Sequence, residues 1–389
     1  MSNSRTKSNF NVNSRLPDVG TTIFTIMSKM AADLGAINLS QGYPDFPIDD
    51  KLINLVNHFM KENHNQYAPM PGVPEFRKSI AAAVSATYGI QVNADTEVTV
   101  VAGATEGLYA AISAFINPGD EVILFDPSYD SYDPAIRLNG GIPVHLELSL
   151  PEFSIDWDAV RNAISGKTKM IMINTPHNPT GSVLSERDLI ELQKIALHHG
   201  LIVLSDEVYE KIIFDGLTHQ SVLRFPDLAQ QSIAVSSFGK TFHATGWKVG
   251  YTIAPENLTR EIKKTHQFIT FSVNTPVQMA LAEYLKTPEH YQSLGAFFQR
   301  KRDYFLEQIK GSSFEPVESK GTYFQLVSYK NISTLPEMEM AEELTRKFKV
   351  ASIPVSVFYK SQKNQQLLRF CFGKKEETLQ RAGEILRKI

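Results

Sequence analysis

The amino-acid sequence predicts an α/β protein with a largely parallel sheet, followed by a smaller α+β domain. Between about residues 97 and 255, apolar runs of strand length alternate with helical patterns. This order produces parallel strands joined by helices that cover both faces of the sheet. Beyond residue 255, helical patterns precede two separated strand patterns, 321–327 and 367–372. A chain of 389 residues is also too long for one simple core, so two domains are expected.

The composition is that of a folded protein with a small-molecule substrate. Hydrophobic residues make up 42% of the chain and charged residues 21%, which is ordinary for a globular enzyme. A net charge of −3 gives no basic excess to attract nucleic acid or an anionic membrane. The single cysteine, Cys371, cannot form an intramolecular disulfide. The polar start and the lack of an apolar run of about 20 residues favour a cytoplasmic protein without a signal peptide or membrane span.

Two helices and two loops are predicted before the sheet. Residues 1–15 are rich in Asn and Ser and predict a loose arm. Apolar residues at helical spacing predict helices over 21–34 and 74–88. Between them, 37–47 and 65–72 are interrupted by glycine and proline, which is typical of loops with fixed geometry. An interdomain linker is the alternative interpretation of 37–47.

Each predicted strand of the sheet is followed by a residue that could bind a ligand or take part in a reaction. The strand patterns cover residues 97–101, 121–125, 169–173, 201–204 and 232–235. The residues that follow them include Gly103, Tyr129, Asn178, Asp206 and Lys240. Ligands of an open α/β sheet bind outside the carboxyl ends of its strands, so we expect these five residues to meet on one rim.

After the sheet, helices are predicted over 258–265, 277–286 and 290–310, with an irregular aromatic loop over 268–276. No cluster of histidine and cysteine has metal-ligand spacing, so we expect no metal site.

The rim also carries the groups that a phosphate needs. The first turn after the strand at 97–101 consists of Gly103, Ala104 and Thr105, and a helix start of this kind offers free N–H groups. Ser237 and Lys248 flank Lys240 and add a hydroxyl and a cation. A lysine amine beside a phosphate site suggests pyridoxal phosphate held as a Schiff base.

Each remaining residue of the rim has a reason to contact such a cofactor. Asp206 follows a fully apolar strand, so its partner is either a structural cation or a ligand nitrogen. Facing the ring nitrogen, it would keep that nitrogen protonated. Tyr209 and Asn178 could donate to the phenolic oxygen, and Tyr129 could stack on the ring. Lys240 would then be close enough to move a proton at the substrate α-carbon.

Five segments carry a family resemblance that spans nearly the whole chain: residues 38–46, 178–181, 205–209, 237–240 and 368–372. On these motifs the sequence resembles the class I/II aminotransferases of the aspartate aminotransferase fold. It is most similar to the bacterial methionine aminotransferases and to the glutamine transaminase K/kynurenine aminotransferase group.

The resemblance implies a pyridoxal-phosphate-dependent transferase fold of fold type I, with a mostly parallel seven-stranded sheet in the large domain. It implies an N-terminal arm and part of the small domain over residues 1–47, a large cofactor-binding domain over 48–285 and a small C-terminal domain over 286–389. Lysine at position 248 departs from the arginine of the broad family pattern, but lysine also occurs in the subgroup that this chain resembles.

The resemblance also implies roles that spacing does not reveal. Arg369 matches the arginine that pairs with the substrate α-carboxylate, a task for which its bidentate geometry is suited. Gly42 matches the loop whose backbone meets the same carboxylate. Tyr67 resembles the tyrosine that reaches the cofactor phosphate of the other subunit, which implies a homodimer with shared active sites. Phe271 lies in the loop that, in the kynurenine aminotransferase group, supplies an aromatic wall of the substrate pocket from the other subunit, and Tyr43 would be its companion.

Three functions are weighed on these grounds. The leading one is an aminotransferase that passes the amino group of methionine, glutamine or an aromatic amino acid to a 2-oxo acid by a ping-pong mechanism. The second is a β-lyase that acts on cysteine conjugates, because it needs the same cofactor contacts. The third is a non-catalytic effector-sensing domain, which would require a basic winged helix that we do not expect in the first fifteen residues.

Overall fold

The structure is a computed structural model that describes residues 13–389. The predicted loose arm falls mostly on residues 1–12, which lie outside the described residues. The helices are α1 Ile23–Leu34, α2 Asp50–Lys61, α3 Pro74–Tyr88, α4 Ala104–Phe115, α5 Tyr132–Leu138, α6 Trp157–Ala163, α7 Glu186–His199, α8 Pro226–Ala229, α9 Phe238–Thr241, α10 Glu256–Ile269, α11 Thr275–Tyr284, α12 Glu289–Gln292, α13 Leu294–Ile309, α14 Glu337–Phe348 and α15 Glu376–Leu386. Within residues 13–389, we find no helix with the length and apolar character needed to cross a membrane.

The strands form three sheets. They are β1 Ile37–Asn38, β2 Val98–Val101, β3 Glu121–Asp126, β4 Ile142–Glu147, β5 Thr168–Asn174, β6 Ile202–Asp206, β7 Ser232–Ser237, β8 Gly250–Ile253, β9 Glu315–Pro316, β10 Phe324–Ser328, β11 Val350–Ala351, β12 Ile353–Pro354 and β13 Leu367–Cys371. The largest sheet has seven strands in the order β2-β8-β7-β6-β5-β3-β4. This confirms the predicted seven-stranded sheet.

One strand of this sheet runs against the others. β8 pairs antiparallel with both β2 and β7, whereas the other neighbouring pairs are parallel. The connection from β7 to β8, residues 238–249, holds only short helical turns. A parallel return needs a full crossover, usually a helix. The chain therefore turns back, and the sequence analysis missed this short strand.

The strand register aligns the polar ends of the central strands. Asn174 at the end of β5 pairs with Asp206 at the end of β6, and Asp206 pairs with Val235 of β7. The strand residues that precede Asp206 are all buried. Apolar burial on both faces therefore fixes the register, and the register places these ends on one edge.

The C-terminal half of the chain builds two smaller sheets around the first segment. β12, β13, β10 and β9 form an antiparallel sheet. β1 pairs in parallel with β11, so that Ile37 lies opposite Val350. The loop after β1 is thereby brought beside β13. The domain division at residues 47 and 285 stays a prediction.

Several predicted element bounds differ from those of the structure. The strand predicted over 321–327 begins only at Phe324, because Thr322 adopts a left-handed backbone with φ of 68°. A Cβ on Gly321 would lie 2.7 Å from Pro176, so the chain needs glycine there. The predicted aromatic loop 268–276 is shorter, because α10 extends to Ile269 and α11 begins at Thr275.

A cluster of charged groups joins the outer edge of the large sheet to the C-terminal half. His145 on β4 contacts Asp126 at 2.9 Å and Asp133 at 3.1 Å. The backbone N–H of Lys360 donates to the same Asp126 carboxylate at 2.8 Å. Burial opposes the charge on His145, but the hydrogen bonds to the two carboxylates outweigh it and raise the pKa of His145 to about 9.

This cluster predicts a pH-dependent stability. The pKa of His145 in the folded state lies above that of an unfolded histidine, so its stabilisation is complete below the unfolded pKa of about 6.5 and is lost as the pH rises through 9. We expect His145→Asn to lower the free energy of unfolding by about 1–3 kcal/mol more at pH 6 than at pH 10. Urea unfolding measures both values. His64→Asn, at an exposed loop position, is the control, and an equal loss at both pH values would contradict the prediction.

Candidate active site

A cavity opens at the carboxyl edge of the large sheet, where α/β proteins bind small-molecule ligands. Ten residues predicted from the sequence line it: Gly103, Ala104, Thr105, Tyr129, Asn178, Asp206, Tyr209, Ser237, Lys240 and Lys248. Six further residues complete its wall: Leu108, Tyr132, Asn174, Val208, Gly239 and Thr245. Side chains from distant parts of the chain therefore converge on one cavity.

Lys240 lies on the short helix α9, directly after β7. Its Nζ is 3.5 Å from the Gly42 carbonyl oxygen. The same Nζ lies 5.7 Å and 5.8 Å from the ring centres of Tyr209 and Tyr323. Burial and the nearby Arg369 guanidinium disfavour the ammonium form and lower the pKa of Lys240 to about 8. A pKa this much closer to neutrality gives far more free amine at neutral pH than an ordinary lysine has, which suits an amine that acts as nucleophile or base.

Asp206 ends β6 and is 5% exposed. The Tyr132 hydroxyl donates to Asp206 Oδ2 at 2.6 Å, and the Val208 N–H donates to Oδ1 at 3.3 Å. Burial raises the pKa of Asp206 to about 6, although the Tyr132 hydrogen bond works in the opposite direction. Both hydrogen-bonding partners are uncharged. Asp206 can therefore still take a cationic nitrogen from a ligand, which favours the second of the two partners considered for it.

The opposite end of the cavity has the donor set of an anion site. Gly103 precedes α4 with φ of 79°, and a Cβ there would lie 3.2 Å from Lys248 Nζ. The bare glycine therefore keeps open the space between the helix start and the ammonium group. The first N–H groups of α4 have no carbonyl partners within the helix. Together with the Ser237 hydroxyl and Lys248, they suit a phosphate.

Arg369 lies on β13 and is 1% exposed. Its Nη1 donates to Asn178 Oδ1 at 2.7 Å and its Nη2 donates to the Ser40 carbonyl at 3.1 Å. Its Nε is buried without a hydrogen-bond partner, and its guanidinium carbon lies 3.9 Å from the centre of the Phe324 ring. Burial lowers the pKa of Arg369. A buried guanidinium with only neutral partners suits a carboxylate ligand.

Residues 35–386 match the family described as aminotransferase class I and II. The chain belongs to this family. It is a transaminase, and enzymes of this family transfer amino groups between amino acids and oxo acids with the help of pyridoxal phosphate.

Known relatives match this aminotransferase over almost its whole length. It is 49% identical to the methionine aminotransferase of Escherichia coli, with 97% of this chain and 98% of the relative covered. It is 32% identical to kynurenine–oxoglutarate transaminase 3 of Mus musculus, with 96% of this chain and 89% of the relative covered. The crystal structure identified with a methionine aminotransferase function in Escherichia coli superposes with a TM-score of 0.96 at 48% identity and covers 98% of this chain and 100% of that chain. The aspartate aminotransferase of Thermus thermophilus with maleate gives 0.89 at 28% identity, with coverages of 97% and 99%. The predicted fold type is thereby confirmed.

The transaminase orients Asn178 through two further asparagine contacts. The Asn178 N–H donates to Asn174 Oδ1 at 2.8 Å, and Asn174 Nδ2 donates to the Asp206 carbonyl at 2.8 Å. Because Asn178 Oδ1 accepts from Arg369, its amide nitrogen is the group left to donate into the cavity. Asn174 was missed by the sequence analysis, although its place at the end of β5, beside Asp206, was a usable signal.

The two tyrosines predicted to contact the ring both keep their protons. Burial raises the pKa of Tyr129 to about 12 and raises the pKa of Tyr209 further. The Tyr209 ring packs edge-on against Tyr323, with ring centres 5.1 Å apart. The Tyr129 ring packs edge-on against Tyr132, at 5.6 Å. At neutral pH these phenols are donors rather than anions.

Five other predicted site residues do not line the cavity of their own chain: Arg369, Gly42, Tyr43, Tyr67 and Phe271. Gly42 reaches it only through the carbonyl near Lys240. Tyr43, Tyr67 and Phe271 are 48%, 83% and 44% exposed. Tyr67 packs edge-on against Phe271 with ring centres 5.4 Å apart. The structure therefore brings Tyr67 and Phe271 together, on the surface rather than at Lys240.

Tyr132 is the second residue that the sequence analysis missed, and its hydroxyl predicts the titration of Asp206. We expect Tyr132→Phe to raise the pKa of Asp206 from about 6 by about one unit, because the carboxylate loses its shortest hydrogen bond. Carbon-13 NMR of labelled aspartate in the cofactor-free protein measures the midpoint, and Asp206→Asn identifies the resonance. Tyr129→Phe is the matched control, since no hydrogen bond joins that phenol to Asp206. An unchanged midpoint in Tyr132→Phe would contradict the prediction.

Proposed function

We propose that this transaminase binds pyridoxal phosphate in the cavity at Lys240 and takes its amino group from methionine, with glutamine and aromatic amino acids as further donors. The observation that carries the proposal is the convergence of the Lys240 amine, the Asp206 carboxyl group and the anion site on one cavity. The 49% identity to a methionine aminotransferase supports the choice of donor. Arg369 at the edge of the same site supports substrates that carry a carboxylate.

The residues present fit this cofactor at both of its polar ends. The space kept open by Gly103 and the donors at Ser237 and Lys248 suit its phosphate. The Asp206 carboxyl group, held by neutral partners, suits its protonated ring nitrogen. When bound, pyridoxal phosphate supplies a reactive carbonyl and an electron-accepting ring.

Lys240 performs the proton transfer in this proposal. Its pKa of about 8 leaves it able both to accept and to release a proton near neutral pH, which is the condition for an effective acid–base group. The Lys240 side chain is half-buried, and its amine lies within 5.8 Å of the centres of the Tyr209 and Tyr323 rings. The Gly42 carbonyl holds the amine when it carries no other partner.

Arg369 selects the substrates. Amino acids and 2-oxo acids share a carboxylate beside the reacting carbon, so one guanidinium can serve both halves of a ping-pong reaction. The hydrogen bonds of its Nη1 and Nη2 go to a neutral amide and a neutral carbonyl, so a carboxylate would bring the negative charge that these partners lack. The Phe324 ring against the guanidinium face limits its motion and keeps the N–H groups directed along the ring plane.

We further propose a homodimer in which each chain completes the site of the other. Tyr67 and Phe271 form an exposed aromatic pair, and Phe268, three residues before Phe271 in the sequence, is 85% exposed. Such a patch is unfavourable in water and is typical of an interface. Lys248 is exposed on the phosphate side of the cavity, where a donor such as Tyr67 from the second chain would fit.

The buried, unpaired Cys371 supports a reducing compartment, which we propose to be the cytoplasm. Cell fractionation checks this assignment, and recovery of the protein outside the cytoplasmic fraction would contradict it.

The shared site predicts complementation between two defective variants. Tyr67→Ala and Lys240→Ala should each lose most activity as homodimers, because every site lacks either the phosphate donor or the amine. Each mixed dimer contains one site with both residues, and random pairing makes about half of the dimers mixed, so the activity of the mixture should return towards a quarter of the wild-type value. Refolding the two variants together, followed by a rate measurement, checks this, with each variant refolded alone as the control. No recovery in a mixture shown to be dimeric would exclude shared sites.

A donor panel tests the proposed activity itself. We expect methionine to react with 2-oxo acids at least as fast as glutamine or phenylalanine, with formation of its oxo acid as the measurement. Lys240→Ala should lower turnover by about a thousandfold and abolish the pH-dependent absorbance of the bound cofactor. Lys264→Ala, at an exposed helical lysine, is the matched control.

The same panel separates the β-lyase alternative. A cysteine conjugate would then yield pyruvate and ammonia without an added oxo acid, faster than any amino acid is transaminated. That result, or full activity in Lys240→Ala, would overturn the proposal.

A further inference from the structure

The loop formed by residues 40–43 is held through its carbonyl groups. The Tyr323 hydroxyl donates to the Gly42 carbonyl at 2.7 Å, and Lys374 Nζ donates to the Tyr43 carbonyl at 2.7 Å. Surface loops usually leave their carbonyls to water. Here two buried side chains, each 3% exposed or less, replace water as the donors to the carbonyls of two consecutive residues of one loop.

The first carbonyl of the same loop belongs to the carboxylate site. Arg369 Nη2 donates to the Ser40 carbonyl at 3.1 Å. The loop therefore lies between the guanidinium that receives the substrate and the amine that handles its proton. Its position relative to both groups matters for the reaction.

Lys374 is an unusual donor for such a task. Its ammonium contacts the Tyr43 carbonyl and lies 5.2 Å from the centre of the Tyr43 ring, and both partners are neutral. A buried charge is costly when it lacks a carboxylate. The neighbouring Lys375 is exposed, so the chain had a solvated position available one residue away. The burial of Lys374 therefore indicates a role at Tyr43.

Tyr323 is fixed to the catalytic side of the molecule. Thr322 before it adopts a left-handed backbone with φ of 68°, and its N–H donates to the Ile212 carbonyl at 3.0 Å. Ile212 follows Tyr209 by three residues, and the rings of Tyr209 and Tyr323 pack edge-on. The Tyr323 hydroxyl therefore has a defined place relative to the cavity.

Lys240 depends on the carbonyl that Tyr323 holds. The Gly42 oxygen accepts from the Tyr323 hydroxyl at 2.7 Å and lies 3.5 Å from Lys240 Nζ. The Lys240 amine also faces the Tyr323 ring, with its centre at 5.8 Å. Loss of the hydroxyl alone would leave the ring in place and release the carbonyl.

We propose that Tyr323 and Lys374 are positioning residues of this active site, Tyr323 setting the Gly42 carbonyl against Lys240 and Lys374 setting Tyr43 on the substrate side. The inference rests on the proposed function and deepens it. Gly42 and Tyr43, the two parts of the loop, then have different roles. Tyr323 acts on the acid–base group, whereas Lys374 acts on substrate binding.

The first test uses the cofactor-free protein and does not depend on the proposed function. Hydrogen exchange of a peptide that covers residues 38–45 should become about three- to tenfold faster in Tyr323→Phe and in Lys374→Met, as expected for the loss of one hydrogen bond. Tyr329→Phe is the control for the phenol, because the buried Tyr329 hydroxyl donates to the Leu335 carbonyl at 2.7 Å. Lys375→Met is the control for the lysine. Unchanged exchange in both test variants would overturn the inference.

The second test uses the enzyme with bound pyridoxal phosphate and distinguishes the role of Tyr323 from that of Lys374. Tyr323→Phe should lower kcat about three- to tenfold, leave KM nearly unchanged and move the midpoint of the pH-dependent cofactor absorbance. Lys374→Met should raise KM about three- to tenfold and leave that midpoint in place. A midpoint in Tyr323→Phe equal to that of wild type, or a KM in Lys374→Met equal to that of Lys375→Met, would overturn the assignment. Wild-type protein without cofactor absorbance would instead contradict the proposed function, while the exchange test would still stand.

Discussion

The burial of charged groups at the sheet edge is the constraint on which the site depends. Asp206 and Arg369 are buried and Lys240 is half-buried, yet none of the three forms a close ion pair with another. Neutral hydroxyl, amide and carbonyl groups hold them instead. Uncompensated burial of this kind reduces the stability of the fold and shifts pKa values, and such shifts concentrate at functional sites. A ligand with a cationic nitrogen, a carbonyl carbon and a carboxylate would meet all three groups at once.

The architecture explains how these groups are held apart, although Asp206 and Lys240 line one cavity and Arg369 contacts Asn178 in its wall. Asp206 ends β6 and Lys240 lies on α9 directly after the neighbouring β7, and backbone hydrogen bonds fix the spacing of these two strands. Arg369 comes from the smaller antiparallel sheet, and the short pairing of β1 with β11 ties the Gly42 loop to that same part of the chain. The residues that line the cavity all lie between positions 103 and 248, and Arg369 of the smaller sheet meets this wall through Asn178.

Much of this arrangement could be predicted from the sequence, for identifiable reasons. The central strands are short and apolar throughout, so their ends, and the polar residues after them, stand out in the sequence. Arg369 and Gly42 came only from the family resemblance, since no local pattern connects them with the sheet. Tyr132, Tyr323 and Lys374 were missed because their hydrogen bonds cross long separations in the chain, 281 residues between Tyr323 and Gly42 and 331 between Lys374 and Tyr43. The local spacing of apolar residues gives no information about partners this far apart in the sequence.

The pairing between Arg369 and Ser40 spans 329 residues. During synthesis, the segment that carries Lys240 has left the ribosome well before Arg369 is added to the chain, and domains fold largely as they emerge. The contacts of Arg369 with Ser40 and Asn178 can therefore form only near the end of translation, after the strands around Lys240 have had time to assemble. A chain that stops short of β13 would carry Lys240 but would lack the guanidinium that joins the first segment of the chain to the wall of the cavity.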